Sequence, residues 1–250
     1  MTVAPTGPYA SLRVPNFRRY VLAVVAMTLA TMIQGTIVGW QVYELTHDTL
    51  ALGMIGLAEA LPFIAAALFA GHVVDRHDRR MVAIIALSVV CVSAIALLVL
   101  PSMLGGSPRA LVRAIFAVIV VSGFARSFLL PARQALGAEV VPRELFANSV
   151  TWRSAAWQLA AVIGPALGGA LYVLGGVRLA YSAAAALTVV GVAALFQIHR
   201  IPAPPSAATE SIRSSLSAGV RFVFGERIVL GALSLDLFSM LFGGATALLP

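Results

Sequence analysis

Along this chain, apolar stretches long enough to cross a bilayer alternate with short polar breaks. A helix spans the hydrocarbon with about 20 apolar residues. On that measure, helices are expected at about 20–45, 52–74, 81–100, 110–132, 145–174 and 179–198, with a seventh apolar segment opening at Ile228. The breaks carry their own signals. Thr46-His47-Asp48-Thr49 is a turn with Thr and Asp available as caps. Pro101 to Pro108 is expected as a loop from its proline and glycine content, and Gly175-Gly176 as a turn. Pro131 is expected to close the fourth helix, leaving Arg133 to Glu144 as a polar connection with Pro142 at the head of the next helix. Met1 to Pro15 holds three prolines and is expected to be a loose tail. The chain therefore divides into a tail (1–19), a six-helix unit (20–198), a linker (199–227) and a seventh helix (228–250). The linker begins with a Pro-Ala-Pro-Pro run, and Ser211 to Phe224 suits an amphipathic surface helix.

Composition supports an all-α membrane protein. Hydrophobic residues make up 60% of the chain and charged ones 11%, against about 25% charged in soluble domains. The net charge of +7 comes from arginine, since the sequence contains no lysine. No arginine-rich run or aromatic-interleaved basic patch suits nucleic acid. Topology accounts for the charge instead. With the amino terminus inside, the inner breaks hold Arg13, Arg18, Arg19, Arg76, Arg79, Arg80, Arg133, Arg143, Arg200, Arg213, Arg221 and Arg227. The outer breaks hold Arg109, Arg113 and Arg178, and Arg126 and Arg153 fall within spans. That imbalance puts the amino terminus in the cytoplasm of a multi-pass inner-membrane protein. The first apolar stretch is too long for a signal-peptide core of about 7–15 residues and is expected to stay as an anchor. Cys91 is the single cysteine, so an intramolecular disulfide is excluded.

The break between the second and third helices reads Gly71-His72-Val73-Val74-Asp75-Arg76-His77-Asp78-Arg79-Arg80. Its spacing, Gly-x-x-x-Asp-Arg-x-x-Arg-Arg, resembles the signature loop of the major facilitator superfamily of transporters. Asp78 stands where the general signature prefers glycine, and that form is similar to the branch of enterobactin-exporter-like and macrolide-efflux-like proteins. Leu130-Pro131-Ala132-Arg133, Val141-Pro142-Arg143-Glu144 and Leu235-Asp236-Leu237-Phe238 resemble the same branch. Gly164-Pro165-Ala166-Leu167-Gly168-Gly169 resembles the Gly-Pro-x-x-Gly-Gly signature that the superfamily associates with antiporters. The resemblance runs from about Arg13 to Pro250 and implies the first six-helix half of a twelve-helix fold plus one helix, so a carboxy-terminal half is expected as partner. It also implies export of a small molecule by alternating access, driven by proton exchange. In the family the signature loop meets the second half and latches the inward gate. Gly71 would let a neighbouring helix close in, and Asp75 would meet a helix amino terminus. Arg76, Arg79 and Arg80 serve topology and anionic lipid first.

Charges inside spans are the sharper functional candidates, since each costs about 2.5–3.5 kcal/mol on insertion scales. Glu59, Arg126, Arg153 and Asp236 fall in this class, and Gln34 and Gln158 join them as polar groups. Glu59 and Asp236 suit proton carriage or a structural ion pair. With the fourth helix ending near Ala132, Arg126 and Arg153 would lie at equal depth, about 9 Å inward. There they would repel unless they share an anion or a carboxylate, as a substrate site would provide; snorkelling to the headgroups is the favoured account of both. Gly164, Pro165, Gly168 and Gly169 suit close helix packing as readily as gating. A cavity lined by Gln34, Glu59, Gln158 and Asp236 is expected of an exporter of drugs, macrolides or siderophores. A non-transporting assembly or sensory subunit is the alternative, and would have these groups paired and the middle shut; uptake is the alternative within transport. His47, His72, His77 and His199 show no metal-ligand spacing, and no phosphate loop, nucleophile motif or cofactor signature suggests an enzyme.

Overall fold

The computed structural model of the chain describes residues 7–104, 106–199, 225–226, 229–232, 234–235 and 238. Its first unit, Met1–Pro204, is built from apolar helices. They are α1 (Pro15–Thr46), α2 (Thr49–Arg76), α3 (Arg79–Leu104), α4 (Pro108–Glu139) and α5 (Phe146–Phe196). All five include stretches long and apolar enough to cross a membrane. α5 is two helices in sequence, arms 146–174 and 177–196, because Gly175 and Gly176 leave helical geometry. Gly176 has φ +66°, a conformation that glycine adopts without a Cβ clash. The second arm returns beside the first: Leu145 and Trp152 share a cluster with Leu195 and Ile198, while Leu171 and Tyr172 share another with Tyr181 and Ala184.

Those two clusters are the ends of one bundle. The first joins Phe17, Tyr20, Val24, Leu87, Val90, Leu136 and Leu195 near the α2–α3 turn. The second joins Ile33, Ile37, Val42, Leu97, Ile115 and Tyr181 at the opposite end. Much of what is buried is alanine, including Ala23, Ala30, Ala94, Ala132, Ala180 and Ala184. Small side chains let helix backbones approach where no water-driven force brings helices together. α4 lies between α2 and α3, and α5 lies between α1 and α3. Most of α2 before the signature residues is exposed to the surroundings of the unit, with Leu50, Leu57, Leu61 and Ile64 outward.

Several boundaries depart from sequence expectation. α3 runs through Pro101 to Leu104, and α4 through Pro131 to Glu139, so neither proline ends its helix. Each proline removes one backbone bond, which long membrane helices tolerate when neighbours satisfy the freed carbonyl. The signature stretch is helical through Arg76, leaving His77 and Asp78 as the turn. Asp78 Oδ1 accepts from the backbone N–H of Arg80 (2.9 Å) and Met81 (3.3 Å), starting α3. Asp48 caps α2 in the expected way, accepting from Leu50 N–H at 2.8 Å. The tail is not loose from Gly7 onward. Asn148 and Trp152 donate to the Pro8 carbonyl, both at 2.8 Å, and Ser11 donates to Asn148 Oδ1 at 2.6 Å. Asn148 and Trp152 supply polar partners that proline content alone did not reveal. The second unit, Pro205–Pro250, contributes a helical stretch around Leu230 and Ser234. The proposed surface helix from Ser211 to Phe224, and Asp236, lie outside the described residues.

Candidate functional site

Glu59 and Arg126 form an ion pair across α2 and α4. Their meeting depends on a glycine. A Cβ built on Gly123, one turn before Arg126, would sit 2.5 Å from the Glu59 carbonyl oxygen. The missing side chain thus lets α4 press onto the α2 backbone where the carboxylate projects. The pair is half-buried, with the Arg126 side chain 21% and the Glu59 side chain 39% exposed, and Arg126 Nε has no hydrogen-bond partner among the described residues. Arg126 lies 13 residues before the end of α4, about 20 Å along the helix at 1.5 Å per residue, and its guanidinium is engaged by Glu59. A paired charge within a span avoids the cost of an isolated one.

Arg153 stands apart from Arg126. It lies seven residues into α5, about 10 Å, and its level partner on α4 is Arg133, six residues before Glu139. The sequence reading placed Arg133 in a connection because it ended the helix at Pro131. Tyr20 of α1 completes the group, donating its hydroxyl to the Arg133 carbonyl at 3.0 Å. A Cβ on Gly137 would come within 2.5 Å of Arg153 Nη1 and 2.6 Å of Tyr20 Oη, so this glycine holds the space that both occupy. Around them opens a cavity of about 400 Å³, lined by Tyr20, Val24, Leu130, Arg133, Gln134, Arg153, Ser154 and Trp157.

The signature residues take separate tasks. Arg80 donates Nε to the Leu195 carbonyl (3.1 Å) and Nη2 to the Phe196 carbonyl (2.7 Å), tying α3 to the end of α5. Arg79 pairs with Glu139 at the end of α4. Asp75 and Arg76 are exposed on the last turn of α2. A Cβ at Gly71 would meet nothing within 4 Å, so no described element makes the close approach that the resemblance implies there. In the Gly-Pro-x-x-Gly-Gly stretch, Gly164 faces the Met32 side chain. Gly168 lies against Ile33, whose Cα would be 3.3 Å from an added Cβ. These two glycines, four apart, seat α5 on α1; Pro165 is exposed and Gly169 faces open space.

Gln34 is buried at 3% exposure with Oε1 unpartnered among the described residues, whereas Gln158 is exposed. Glu59 is engaged by Arg126. The residues missed in sequence are Gly123, Gly137, Arg133 and Tyr20. Their one legible signal was small residues spaced a turn from arginines, in Gly123-x-x-Arg126 and Arg133-x-x-x-Gly137.

The sequence model of the family described as transmembrane secretion effector matches residues 6–250. Among curated proteins, the enterobactin exporter EntS of Shigella flexneri is 28% identical over 228 residues, covering 88% of this chain and 53% of that protein. EntS of Escherichia coli O1:K1 / APEC is 29% identical over 224 residues, covering 87% of this chain and 51% of that protein. The chain spans about half the length of the curated relatives it matches.

Proposed function

The chain belongs to the transmembrane secretion effector family of the major facilitator superfamily, in its enterobactin-exporter-like branch, and from that premise we propose that it serves proton-driven export of a small amphiphilic molecule by alternating access. It is a transporter polypeptide and not an enzyme. The relatives' name, enterobactin exporter, supports outward movement of an organic molecule; siderophores, drugs and macrolides are the substrate classes that this reading admits. The arginine imbalance supports a cytoplasmic amino terminus in the inner membrane, with the α2–α3 turn on the same side. The second half of the transport path is carried by a segment corresponding to the other half of the relatives' length.

The Glu59–Arg126 pair carries this reading. α2 packs chiefly on α4, so a bond between them that responds to protons is a means of moving one against the other. Protonating Glu59 removes its charge and leaves Arg126 uncompensated within the span, which favours a rearrangement that finds Arg126 another anion. Deprotonation on the other side of the membrane restores the pair. A static ion pair would serve a non-transporting subunit equally, and pH dependence separates the two.

The test uses the full-length protein in inverted vesicles with an imposed proton gradient. Glu59→Gln mimics the protonated acid and lowers proton-driven export at least tenfold while leaving expression normal. Asp236→Asn, in the seventh apolar segment of the sequence, is the second arm and does the same if that carboxylate shares the proton path. Wild-type rates and an unchanged pH profile in Glu59→Gln would reduce the pair to a structural tie.

A further inference from the structure

We propose that the cavity between α1, α4 and the first arm of α5 is an oxyanion subsite, in which Arg133 and Arg153 bind the carboxylate or phosphate group of a small amphiphile and Trp157 covers its apolar part. This rests on the exporter reading, since it names the chemical class that such a path would select.

Two guanidinium groups share the cavity wall, and they act on one another electrostatically. Neither has a carboxylate partner among the described residues; Glu139 is taken by Arg79 and Glu59 by Arg126. The bundle could have separated the two cations; it holds them together instead. Tyr20 anchors the Arg133 backbone through its hydroxyl, and Gly137 leaves the space that Arg153 Nη1 enters. Two like charges in a half-buried wall are stabilised when one anion bridges them, and guanidinium forks suit the planar or tetrahedral oxygens of carboxylate and phosphate. The other walls fix the rest of the ligand. Val24 and Leu130 are apolar, Trp157 is 41% exposed as a flat aromatic surface, and Gln134 and Ser154 add neutral hydrogen-bonding groups. A volume of about 400 Å³ falls in the range that accommodates one ring system with its charged substituent. The site therefore suits an anionic amphiphile and discriminates against its neutral isostere.

The probe pair is 2-naphthoate and 2-naphthylmethanol, which share a ring and differ in charge. Binding is measured by equilibrium dialysis on the chain in nanodiscs of zwitterionic phosphatidylcholine. The wild type prefers naphthoate by about tenfold or more, the scale of one charge-assisted hydrogen bond. Arg133→Gln and Arg153→Gln each remove most of that preference, and the lysine variants recover part of it. Gly137→Ala, which keeps both charges and displaces Arg153, also lowers it. Arg113→Gln, on an exposed turn of α4, leaves it unchanged. Preference retained in both glutamine variants overturns the proposal, as does absence of preference in the wild type. A second arm adds phosphatidylglycerol and follows retained lipid by native mass spectrometry. Lipid held by the wild type but not by the double glutamine variant assigns the arginines to a headgroup and overturns the small-ligand proposal. Equilibrium binding needs no transport, so lost export with intact selectivity counts against the exporter reading alone, and the converse counts against this subsite alone.

Discussion

Gly123 contributes no functional group, yet it decides whether Glu59 and Arg126 can meet. An added methyl group there would collide with backbone, the Glu59 carbonyl at 2.5 Å, and a backbone atom cannot swing aside as a side chain can. Gly169 differs, because nothing lies within 4 Å of its missing Cβ. Overpacking a tight contact costs about 1–3 kcal/mol, whereas alanine at an unhindered helical glycine is neutral or stabilises by up to about 1 kcal/mol. Gly123→Ala should therefore lower the thermal unfolding midpoint in detergent while Gly169→Ala leaves it level or raises it. Equal midpoints for the two variants would mean that α4 does not press on α2 as described. The same reasoning marks Gly71, which is unhindered within this unit: an alanine there that leaves stability intact but lowers export would point to a contact made by the other half of the transporter.

At the scale of the helices, what could be read from sequence was the set of spans, and what could not was how they pair. Runs of apolar residues, the capping Asp48 and the Gly175-Gly176 break all act locally, so they are visible in the chain. Pro131 misled because proline is a strong local breaker, while the condition that rescues it inside a membrane is tertiary. That single misplacement hid Arg133 in a connection. The Glu59–Arg126 and Arg79–Glu139 pairs join residues 67 and 60 positions apart, and no spacing rule reaches that far. Arg80 shows the same limit: its place among the inner charges is legible in the sequence, but its hold on two carbonyls at the end of α5 is not. Helix ends leave carbonyls without intrahelical partners, and a cation there satisfies them and complements the helix dipole. Arg80→Gln should weaken the α3–α5 tie by about 1–3 kcal/mol, the range for hydrogen bonds to a charged group. Backbone N–H groups of Gln197 and Ile198, which bond to carbonyls from Ala193 to Leu195, should then exchange with deuterium at least tenfold faster. Unchanged exchange at both positions would assign that helix end to packing alone.

For the whole molecule, orientation across the membrane decides which end of the bundle meets the cytoplasm. The two ends of the bundle differ in charge. The end with the α2–α3 turn carries Arg18, Arg19, Arg76, Arg79, Arg80 and Arg143, whereas the opposite end carries Arg109, Arg113 and Arg178. An excess of arginine within reach of the span ends favours the cytoplasmic side, since moving each cation outward opposes the membrane potential, and on that rule the α2–α3 end is expected inside. Both ends offer positions for a label. His77 is exposed in the α2–α3 turn, and Gly106 is exposed between α3 and α4. With Cys91→Ala removing the native thiol, single cysteines at positions 77 and 106 report the two sides separately. An impermeant thiol reagent applied to intact cells should label position 106 and spare position 77, and permeabilised cells should label both. Labelling confined to position 77 would invert the bundle, and the Arg133–Arg153 cavity would then lie toward the outer face.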